Sequence, residues 1–446
     1  MRVWRIIRQR GENLMLDLGY LSVDNYGQLV IDGVSSAELV SEFGTPLYVM
    51  SERIIRRNCE TYKSAIDKYY DGKGMALYAS KAMMCKEMCR IMKSEGFGLD
   101  VVSSGELYTA IKSGFPAENI HFHGNNKTLE EINLALEYKV GRIVVDNFDE
   151  LQVVDSFARG KGVTQKILLR IKPGVNPHTH SSIKTGQIDS KFGFTIENDE
   201  AIHAANVARD LKNVELMGVH CHIGSQIANV EPFKKTAEVM MGFVNEVKQR
   251  LSFELKELNL GGGYAIRYTE KDEKINFDDY LRQVLEIVKT KADEFNLKRP
   301  YVYFEPGREI VGEAGVTLYQ VGGVKEIPNV RTYVSIDGGM TDNPRYALYG
   351  SEYTVLNASK LNKIADSKVT IAGKCCESGD IIQKDVEMKF PQAGDIITVL
   401  CTGAYNYSMA SNYNRIPVPA VVMIKNGEKK VIVKRQTLND IISKDV

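Results

Sequence analysis

Lys81 has the position of a reactive lysine in this sequence. It stands just after the apolar run Met75–Ala79, with only Ser80 between them. A lysine at the end of a strand usually extends its ammonium group into solvent. The same amine can form a Schiff base with a carbonyl compound when its surroundings disfavour the positive charge. The residues after the neighbouring apolar runs have to distinguish these two interpretations.

The triplet Gly261-Gly262-Gly263 has the composition of an anion-binding loop. It follows the apolar run Glu257–Leu260, and without Cβ atoms its backbone N–H groups can approach a phosphate closely. Ser225 offers a hydroxyl donor to the same phosphate. A tight turn is the alternative explanation for the glycines.

The segment Glu305-Pro306-Gly307-Arg308 places a carboxylate and a guanidinium after another apolar run. The Glu305 carboxylate can pair with the protonated nitrogen of a pyridine ring and keep that ring electron-poor. A structural salt bridge between Glu305 and Arg308 is the alternative. Arg308 can also hold a substrate carboxylate through two parallel hydrogen bonds.

His220 and His222 alternate on one predicted strand, so both side chains lie on the same face. This pattern also occurs in metal-dependent barrel hydrolases, which need further His and Asp ligands on later strands. No histidine follows residue 222, and only His178 and His180 remain in an upstream loop. We therefore predict no metal site, and an imidazole that lies against a flat cofactor ring.

The segment Cys375-Cys376-Glu377 offers another reactive group. Adjacent cysteines are usually structural. A thiol can nevertheless act as a general acid, which makes Cys376 a candidate proton donor.

Between about residues 75 and 305, apolar runs alternate with amphipathic segments. Short apolar runs separated by helices are typical of parallel strands buried on both faces, and eight such units fit a (β/α)8 barrel. Catalytic residues of such barrels collect at the carboxyl ends of the strands, where the polar residues described above are found. The eight predicted strands are Met75–Ala79, Gly98–Val102, Asn119–Phe122, Arg142–Val145, Lys166–Ile171, Val214–Val219, Glu257–Leu260 and Tyr301–Phe304.

After residue 310 the pattern changes to strands separated by turns rich in Gly, Pro and Asn, which predicts an antiparallel β domain. Residues 16–34 are also strand-like and are expected to join it. We divide the chain into an N-terminal segment, 1–46, a barrel, 47–310, and a β domain, 311–446.

Composition and charge argue against several other classes of protein. The 446 residues carry 57 Lys plus Arg and 57 Asp plus Glu, so no basic excess favours nucleic acid or an anionic membrane. No apolar run approaches the length of a membrane span. Seven scattered cysteines do not suggest a disulfide framework, which favours a reducing cytoplasm.

These segments together resemble the alanine-racemase-like group of pyridoxal phosphate decarboxylases and, within it, the diaminopimelate decarboxylases. The resemblance runs nearly the whole length of the chain and is most specific in its C-terminal third. The matching segments are Leu77–Ala82, Asp100–Leu107, His123–Lys127, Arg170–His180, Thr185-Gly186, Ser190–Gly193, His222–Ser225, Gly261–Gly263, Glu305–Arg308, Asp337–Met340, Arg345–Tyr349, Cys376–Asp380, Gly403–Tyr405, Ser408-Met409 and Tyr413-Asn414.

The resemblance implies a role for each matching residue. Pyridoxal 5'-phosphate would be carried on Lys81, with Glu305 at the pyridine nitrogen and His222 stacked on the ring. The other implied cofactor contacts are Ser225, Gly262, Gly263, Gly307, Arg308 and Tyr405. The implied substrate contacts are Arg308, Arg345, Tyr349, Glu377 and Tyr405, and Cys376 would protonate the carbanion left by loss of CO2.

The implied reaction is decarboxylation of meso-2,6-diaminopimelate to L-lysine in a homodimer, in which Cys376 and Glu377 reach the barrel of the partner subunit. Two alternatives stay open. One is a decarboxylase of a D-amino acid, a polyamine precursor or a carrier-bound amino acid. The other is a non-catalytic cofactor carrier, in which Cys376 and Tyr405 would have no purpose.

Overall fold

The computed structural model describes residues 18–175 and 190–446, together with the backbone of a strand pair at Arg8–Gln9 and Glu12–Asn13. The chain forms two compact units. The barrel unit comprises residues 57–265 and 275–309, and the β unit comprises residues 1–56, 266–274 and 310–446.

The barrel unit contains a closed ring of parallel strands. The eighth strand pairs with the first, with Val302 beside Gly74, and the fourth pairs with the fifth, with Val145 beside Leu169. Hydrogen bonds therefore run round the whole ring, and the predicted (β/α)8 barrel is confirmed. In the part of the chain that the structure describes, its strands are Gly74–Ala79, Gly98–Val101, Ile120–Phe122, Arg142–Val145, Gln165–Lys172, Val214–His220, Glu257–Asn259 and Tyr301–Phe304. A short strand, Phe194–Thr195, pairs beside Ile171 and Lys172.

Amphipathic helices follow the barrel strands, as their apolar spacing predicts. Polar side chains mark where several of them begin: Ser103 accepts from the Glu106 N–H, and Thr128 forms a reciprocal capping box with Glu131. These helices are Lys86–Ser94, Ser104–Lys112, Leu129–Glu137, Phe148–Lys161, Glu200–Asp210, Glu231–Leu251 and Phe277–Glu294. The helix Glu52–Tyr70 precedes the first barrel strand, and a short helix, Arg308–Val311, follows the eighth.

The β unit is built on one large sheet, in agreement with the predicted β domain. Most of its strand pairs are antiparallel, but Leu47–Ser51 runs parallel to Ala420–Lys425, and Arg331–Ile336 runs parallel to Ser367–Ala372. Its remaining strands are Gly315–Ile327, Val355–Asn357, Ile381–Met388, Ile396–Val399 and Glu428–Val433. The short helices of this unit are Ser36–Phe43, Arg345–Tyr349 and Leu438–Ile442.

The N-terminal part of the β unit differs in detail from the expectation. Leu21–Val23, Leu29–Ile31 and Val34–Ser35 form a small sheet of their own, because each pairs with the next along the chain. The N-terminal strand that enters the large sheet is Leu47–Ser51, which pairs with Gly315–Leu318. The division predicted from the sequence places residues 47–56 and 266–274 in the barrel, whereas in the structure they belong to the β unit.

No helix among the described residues is long and apolar enough to cross a membrane.

A buried carboxylate, Asp342, organises the turn that leads into the helix Arg345–Tyr349. It accepts hydrogen bonds from the Tyr319 hydroxyl and from the Gly339 N–H, and the Tyr48 hydroxyl donates to its backbone carbonyl. Burial raises the pKa of Asp342 to about 7, although the hydrogen bonds from Tyr319 and Gly339 act in the opposite direction. The folded β unit therefore binds a proton at this carboxyl more tightly than the unfolded chain does.

We expect Asp342 to make the stability of the protein depend on pH. Its pKa is about 7 when folded and about 3.9 when unfolded, so its contribution is complete below about pH 4 and is lost as pH rises through about 7, on the order of 4 kcal/mol in total. Asp342→Asn should flatten the dependence of the free energy of unfolding on pH in this range, as measured by denaturant titration. The exposed Asp385→Asn variant is the control, and an unchanged slope for Asp342→Asn would contradict the assignment.

Candidate active site

Lys81 lies in a tight turn at the carboxyl end of the first barrel strand. The turn spans Ser80–Ala82, and the Tyr78 hydroxyl donates to the Met83 carbonyl at 2.9 Å across it. The Ala79 N–H donates to the Pro306 carbonyl at 3.0 Å, which joins the ends of the first and eighth strands. The Lys81 ammonium is exposed and close enough to interact with both Asp100 and His222. Burial raises the pKa of Asp100 despite this positive charge, whereas burial and the charge of Lys81 together lower the pKa of His222.

Glu305 lies at the centre of a buried group of hydrogen-bond donors. Its Oε1 accepts from Asn259 Nδ2 at 2.7 Å, and its Oε2 accepts from His220 Nε2 at 3.1 Å, while His123 Nε2 lies 2.9 Å from Oε1 as an ion-pair contact. Burial raises the pKa of Glu305, but His123 and His220 outweigh this effect and hold the pKa well below its usual range. Burial lowers the pKa of His220 to about 4, so this imidazole donates in its neutral form.

The remaining hydrogen-bonding capacity of Glu305 suits a protonated pyridine nitrogen. An ionised carboxylate offers about four acceptor positions. Asn259 and His220 use two of them, and His123 Nε2 lies beside a third at 2.9 Å from Oε1. One position on the Oε2 atom is left to accept an N–H from a ring, and the neighbouring donors keep the carboxylate ionised for that purpose.

His222 has the charge state needed to pack against an aromatic ring. Burial, together with the charges of Lys81 and Arg170, lowers its pKa well below the usual range. The imidazole is therefore neutral and presents a flat surface of low polarity. Arg170 itself lies over the Phe192 ring, with 4.1 Å between its Cζ atom and the ring centroid.

The glycine triplet allows three loops to meet at the barrel end. A Cβ atom at Gly262 would lie 2.0 Å from the Glu305 carbonyl oxygen, and one at Gly263 would lie 2.0 Å from the Gly224 carbonyl oxygen. Gly261 approaches the Cys221 carbonyl in the same way, at 2.5 Å, and has φ +67°. Only glycine fits these approaches. The triplet is therefore required by the contact of backbones, and its N–H groups already bind acceptors within the chain: Gly261 donates to Asn259 Oδ1 at 2.9 Å and Gly263 to Glu309 Oε1 at 3.2 Å.

Ser225 and Arg308 are neighbours, as their assignment to one site requires. Arg308 Nη2 donates to Ser225 Oγ at 3.0 Å, which joins the loops after the sixth and eighth strands. Arg308 is buried, as are the other residues of the short helix that it begins. A buried guanidinium that bonds to a hydroxyl is suited to attract a phosphate or carboxylate.

The barrel residues fit pyridoxal phosphate on several independent grounds. A lysine ends the first strand, and a carboxylate kept ionised begins the loop after the eighth. The glycine triplet brings the backbones of three loops together at the end of the barrel where a phosphate would bind. Lys81 would hold the cofactor, Glu305 its ring nitrogen, and Gly262, Gly263, Gly307 and Ser225 its phosphate.

Three residues expected to contact substrate lie together in the β unit. The Arg345 guanidinium is over two tyrosine rings, with 5.3 Å from its Cζ atom to the Tyr349 centroid and 5.5 Å to the Tyr405 centroid. These distances are typical of cation–π contacts. Tyr405 has φ +66°, an uncommon backbone conformation for a tyrosine that frequently accompanies function.

Cys376 and Glu377 lie in an exposed loop of the β unit. The Cys376 N–H donates to Asn414 Oδ1 at 2.8 Å, and the preceding Cys375 N–H donates to Asp380 Oδ2 at 2.7 Å. Burial and the Asp380 carboxylate raise the pKa of Cys375 to about 11. Cys376 is thus the accessible thiol of this pair, and its backbone is held in place.

Four residues that support the barrel site or the cysteine loop were not predicted as site residues from the sequence. Asn259 and His123 hold Glu305, Glu309 binds the glycine loop, and Asp380 holds the cysteine loop through Cys375 and Met340. A polar residue inside the apolar run Glu257–Leu260 was a signal for Asn259. The sequence carried no comparable signal for Glu309 or Asp380, since their partners are backbone groups.

The histidines around Glu305 also have the spacing of possible metal ligands. Among the described residues, His123, His220 and Glu305 have ligand atoms within 4.8 Å of one another. The Glu305 carboxylate of this trio, however, is already engaged by both imidazoles, through a hydrogen bond with His220 and an ion-pair contact with His123. His178 and His180, together with the matching Thr185-Gly186, lie outside the described residues.

A family model of the pyridoxal-dependent decarboxylases, describing their pyridoxal-binding domain, matches residues 52–312. The chain belongs to the pyridoxal-dependent decarboxylase family. The matched region contains the whole barrel and every barrel residue assigned above to pyridoxal phosphate, which is the cofactor of this family.

Relatives within this pyridoxal-dependent decarboxylase family are similar over nearly their full length. The diaminopimelate decarboxylase of Bacillus methanolicus is 49% identical over 94% of this chain and 96% of its own. That of Bacillus subtilis is 47% identical over 95% of this chain and 96% of its own. The crystal structure of diaminopimelate decarboxylase from M. jannaschii in complex with L-lysine is 36% identical, with a TM-score of 0.91 over 97% of this chain and 99% of that one.

We expect Lys81→Ala to abolish the visible absorbance of the protein saturated with pyridoxal phosphate, because the covalent link depends on the Lys81 amine. The measurement is an absorbance spectrum after removal of unbound cofactor. The exposed Lys86→Ala variant, five residues further along the chain, is the control and should keep the absorbance. A coloured Lys81→Ala protein would show that another amine carries the cofactor.

Proposed function

We propose that the protein decarboxylates meso-2,6-diaminopimelate to L-lysine and CO2, the last step of lysine biosynthesis by the diaminopimelate pathway. The observation that carries this proposal is the similarity to diaminopimelate decarboxylases over 94% of the chain, with identity as high as 49%. The residues support it, because a cofactor cradle in the barrel is accompanied by two arginines suited to carboxylates, Arg308 and Arg345.

Pyridoxal phosphate supplies the electron sink into which the bonding electrons of the lost carboxylate pass. The chain has to keep that sink effective and choose the bond that breaks. Glu305 would keep its negative charge beside the ring nitrogen and thereby hold the proton there. The flat, neutral imidazole of His222 would pack against the ring and exclude water from it.

Recognition of the second carboxylate sets the choice of substrate in this proposal. Arg308 and Arg345 bind the carboxylate remote from the reacting carbon, and Tyr349 and Tyr405 orient the Arg345 guanidinium by their ring faces. Glu377 binds the distal ammonium group. A diamine without this carboxylate would leave a guanidinium unpaired, so the site favours a diacid with two amino groups.

Cys376 donates the proton that replaces the lost carboxylate. Its thiol is accessible, whereas the Cys375 thiol is buried with a raised pKa. As the family resemblance implies, we propose that Cys376 and Glu377 serve the barrel of a partner subunit in a homodimer. All seven cysteines are in the thiol form, which agrees with a cytoplasmic location.

The proposed substrate is tested by measuring CO2 release from meso-diaminopimelate, D-lysine and D-ornithine side by side. We expect kcat/KM to be highest for meso-diaminopimelate. Arg345→Leu should lower kcat/KM for meso-diaminopimelate by roughly 10- to 100-fold, since a charged hydrogen bond contributes about 1.5–3 kcal/mol, and should change that for D-lysine little. Faster release from either diamine substrate would favour a D-amino acid or polyamine-precursor decarboxylase instead.

We expect Cys376→Ala to retain the visible spectrum of the bound cofactor and to lose turnover by on the order of 100-fold or more, the usual contribution of a general acid. Steady-state kinetics with meso-diaminopimelate measure the loss. Cys375→Ala is the matched control and should retain most of the turnover, because its thiol is buried. Equal turnover of Cys376→Ala and the unaltered protein would remove Cys376 as the proton donor.

A further inference from the structure

Glu309 is a buried carboxylate that bonds to the phosphate cradle itself. Its Oε1 accepts from the Tyr264 N–H at 2.8 Å and from the Gly263 N–H at 3.2 Å, while its Oε2 accepts from the Gly307 N–H at 3.1 Å. The carboxylate thus joins the glycine loop after the seventh strand to the loop after the eighth.

The surroundings of Glu309 hold it in place. Asn58 Nδ2 donates to its backbone carbonyl at 3.0 Å. The Tyr62 hydroxyl, which has no hydrogen-bond partner among the described residues, is buried near the carboxylate and interacts with it electrostatically. Arg308 supplies the neighbouring positive charge, and Tyr264 supplies a second phenol.

Two of the three donors to Glu309 are the N–H groups of Gly263 and Gly307. Both residues are among those that would hold the cofactor phosphate in the barrel site. A carboxylate and a phosphate are both acceptors, and each N–H group can satisfy only one of them well. If both anions shared the same donors, their oxygens would approach closely in a buried environment, where like charges repel strongly. The ionised carboxylate and the phosphate dianion are therefore competitors.

We propose that the Glu309 carboxylate occupies the phosphate cradle as an internal anion, and that binding of the cofactor phosphate requires Glu309 to release Gly263 and Gly307 and to take up a proton. This proposal rests on the proposed phosphate site and adds a residue that regulates its occupancy. The bound proton converts Glu309 from an acceptor that repels the phosphate into a donor that can bond to it.

The direction of the pH dependence follows from the charges that face Glu309. Burial raises its pKa, and the backbone hydrogen bonds and Arg308 oppose this. Tyr62 and Tyr264 are neutral, since burial raises both of their pKa values. Phosphate binding weakens the opposing bonds and adds negative charge, so it raises the pKa of Glu309 further. Affinity for the phosphate-bearing cofactor therefore falls as pH rises.

The test uses the full-length protein stripped of cofactor and titrated with pyridoxal phosphate between about pH 6 and pH 9, with binding followed by absorbance. Glu309→Gln keeps the size of the side chain and removes its charge. We expect it to bind pyridoxal phosphate about tenfold or more tightly than the unaltered protein at the alkaline end, and to show a shallower pH dependence, because one pKa unit corresponds to a factor of ten. Unphosphorylated pyridoxal should bind both proteins alike.

Glu313→Gln is the matched control, because the Glu313 carboxylate also accepts a backbone N–H, that of Arg267 at 3.3 Å, but in the β unit. It should leave the pH profile unchanged. Weaker binding by Glu309→Gln at every pH, or an unchanged profile, would overturn the proposal and leave Glu309 as a connector of the two loops. Failure of the unaltered protein to prefer pyridoxal phosphate over pyridoxal would instead overturn the phosphate site of the proposed function.

A second measurement keeps the test independent of the folding of the variant. The unaltered protein, stripped of cofactor, is mixed in weakly buffered solution at about pH 8 with pyridoxal phosphate or with pyridoxal, and proton exchange is followed by an indicator dye. We expect greater proton uptake with pyridoxal phosphate than with pyridoxal. Equal uptake would overturn the role of Glu309.

Discussion

The close approach of three loop backbones at one end of the barrel is the constraint on which the barrel residues depend. Gly262 and Gly263 lie so near the carbonyl groups of Glu305 and Gly224 that no side chain fits between them. This approach fixes the distance between the loops after the sixth, seventh and eighth strands. The hydrogen bond from the Ala79 N–H to the Pro306 carbonyl connects the loop after the eighth strand to the strand that precedes Lys81.

Electrostatics in this region are set by burial and by the groups around Glu305. Burial raises the pKa of Glu305, but the nearby His123 and His220 hold it well below its usual range, and Asn259 and His220 donate to the carboxylate. His220 and His222 remain neutral because burial disfavours their charge. Glu305 would give a positively charged ring nitrogen a fixed negative partner in a region where water screens little, which is what an electron-withdrawing cofactor needs.

In the β unit, buried carboxylates that accept hydrogen bonds from backbone N–H groups hold the turns beside the proposed substrate residues. Asp342 holds the turn before Arg345, and Asp380 holds the turn that presents Cys376. Loops that carry function are exposed and would otherwise be mobile. Each of these carboxylates is removed from water and accepts hydrogen bonds from the backbone instead. Glu309 does the same at the glycine loop of the barrel.

The sequence by itself determined the barrel and the polar residues at its strand ends. Apolar runs of four to eight residues separated by amphipathic helices are sufficient evidence for parallel strands, and the position of Lys81, Gly263 and Glu305 at the ends of such runs follows from register along the chain. The roles of Arg345, Tyr349, Tyr405, Cys376 and Glu377 came from family resemblance, since no periodicity distinguishes them from other loop residues.

Only the tertiary structure decided which groups bond to one another. Leu47–Ser51 belongs to the large sheet because its partners, Gly315–Leu318 and Ala420–Ile424, are distant in sequence. The partners of Glu305 lie in or just after three other strands. Those of Glu309 are backbone N–H groups, which the residue types in the sequence do not reveal. Hydrogen bonds to backbone groups and contacts between distant strands depend on closure of the barrel, and local sequence patterns carry no information about them.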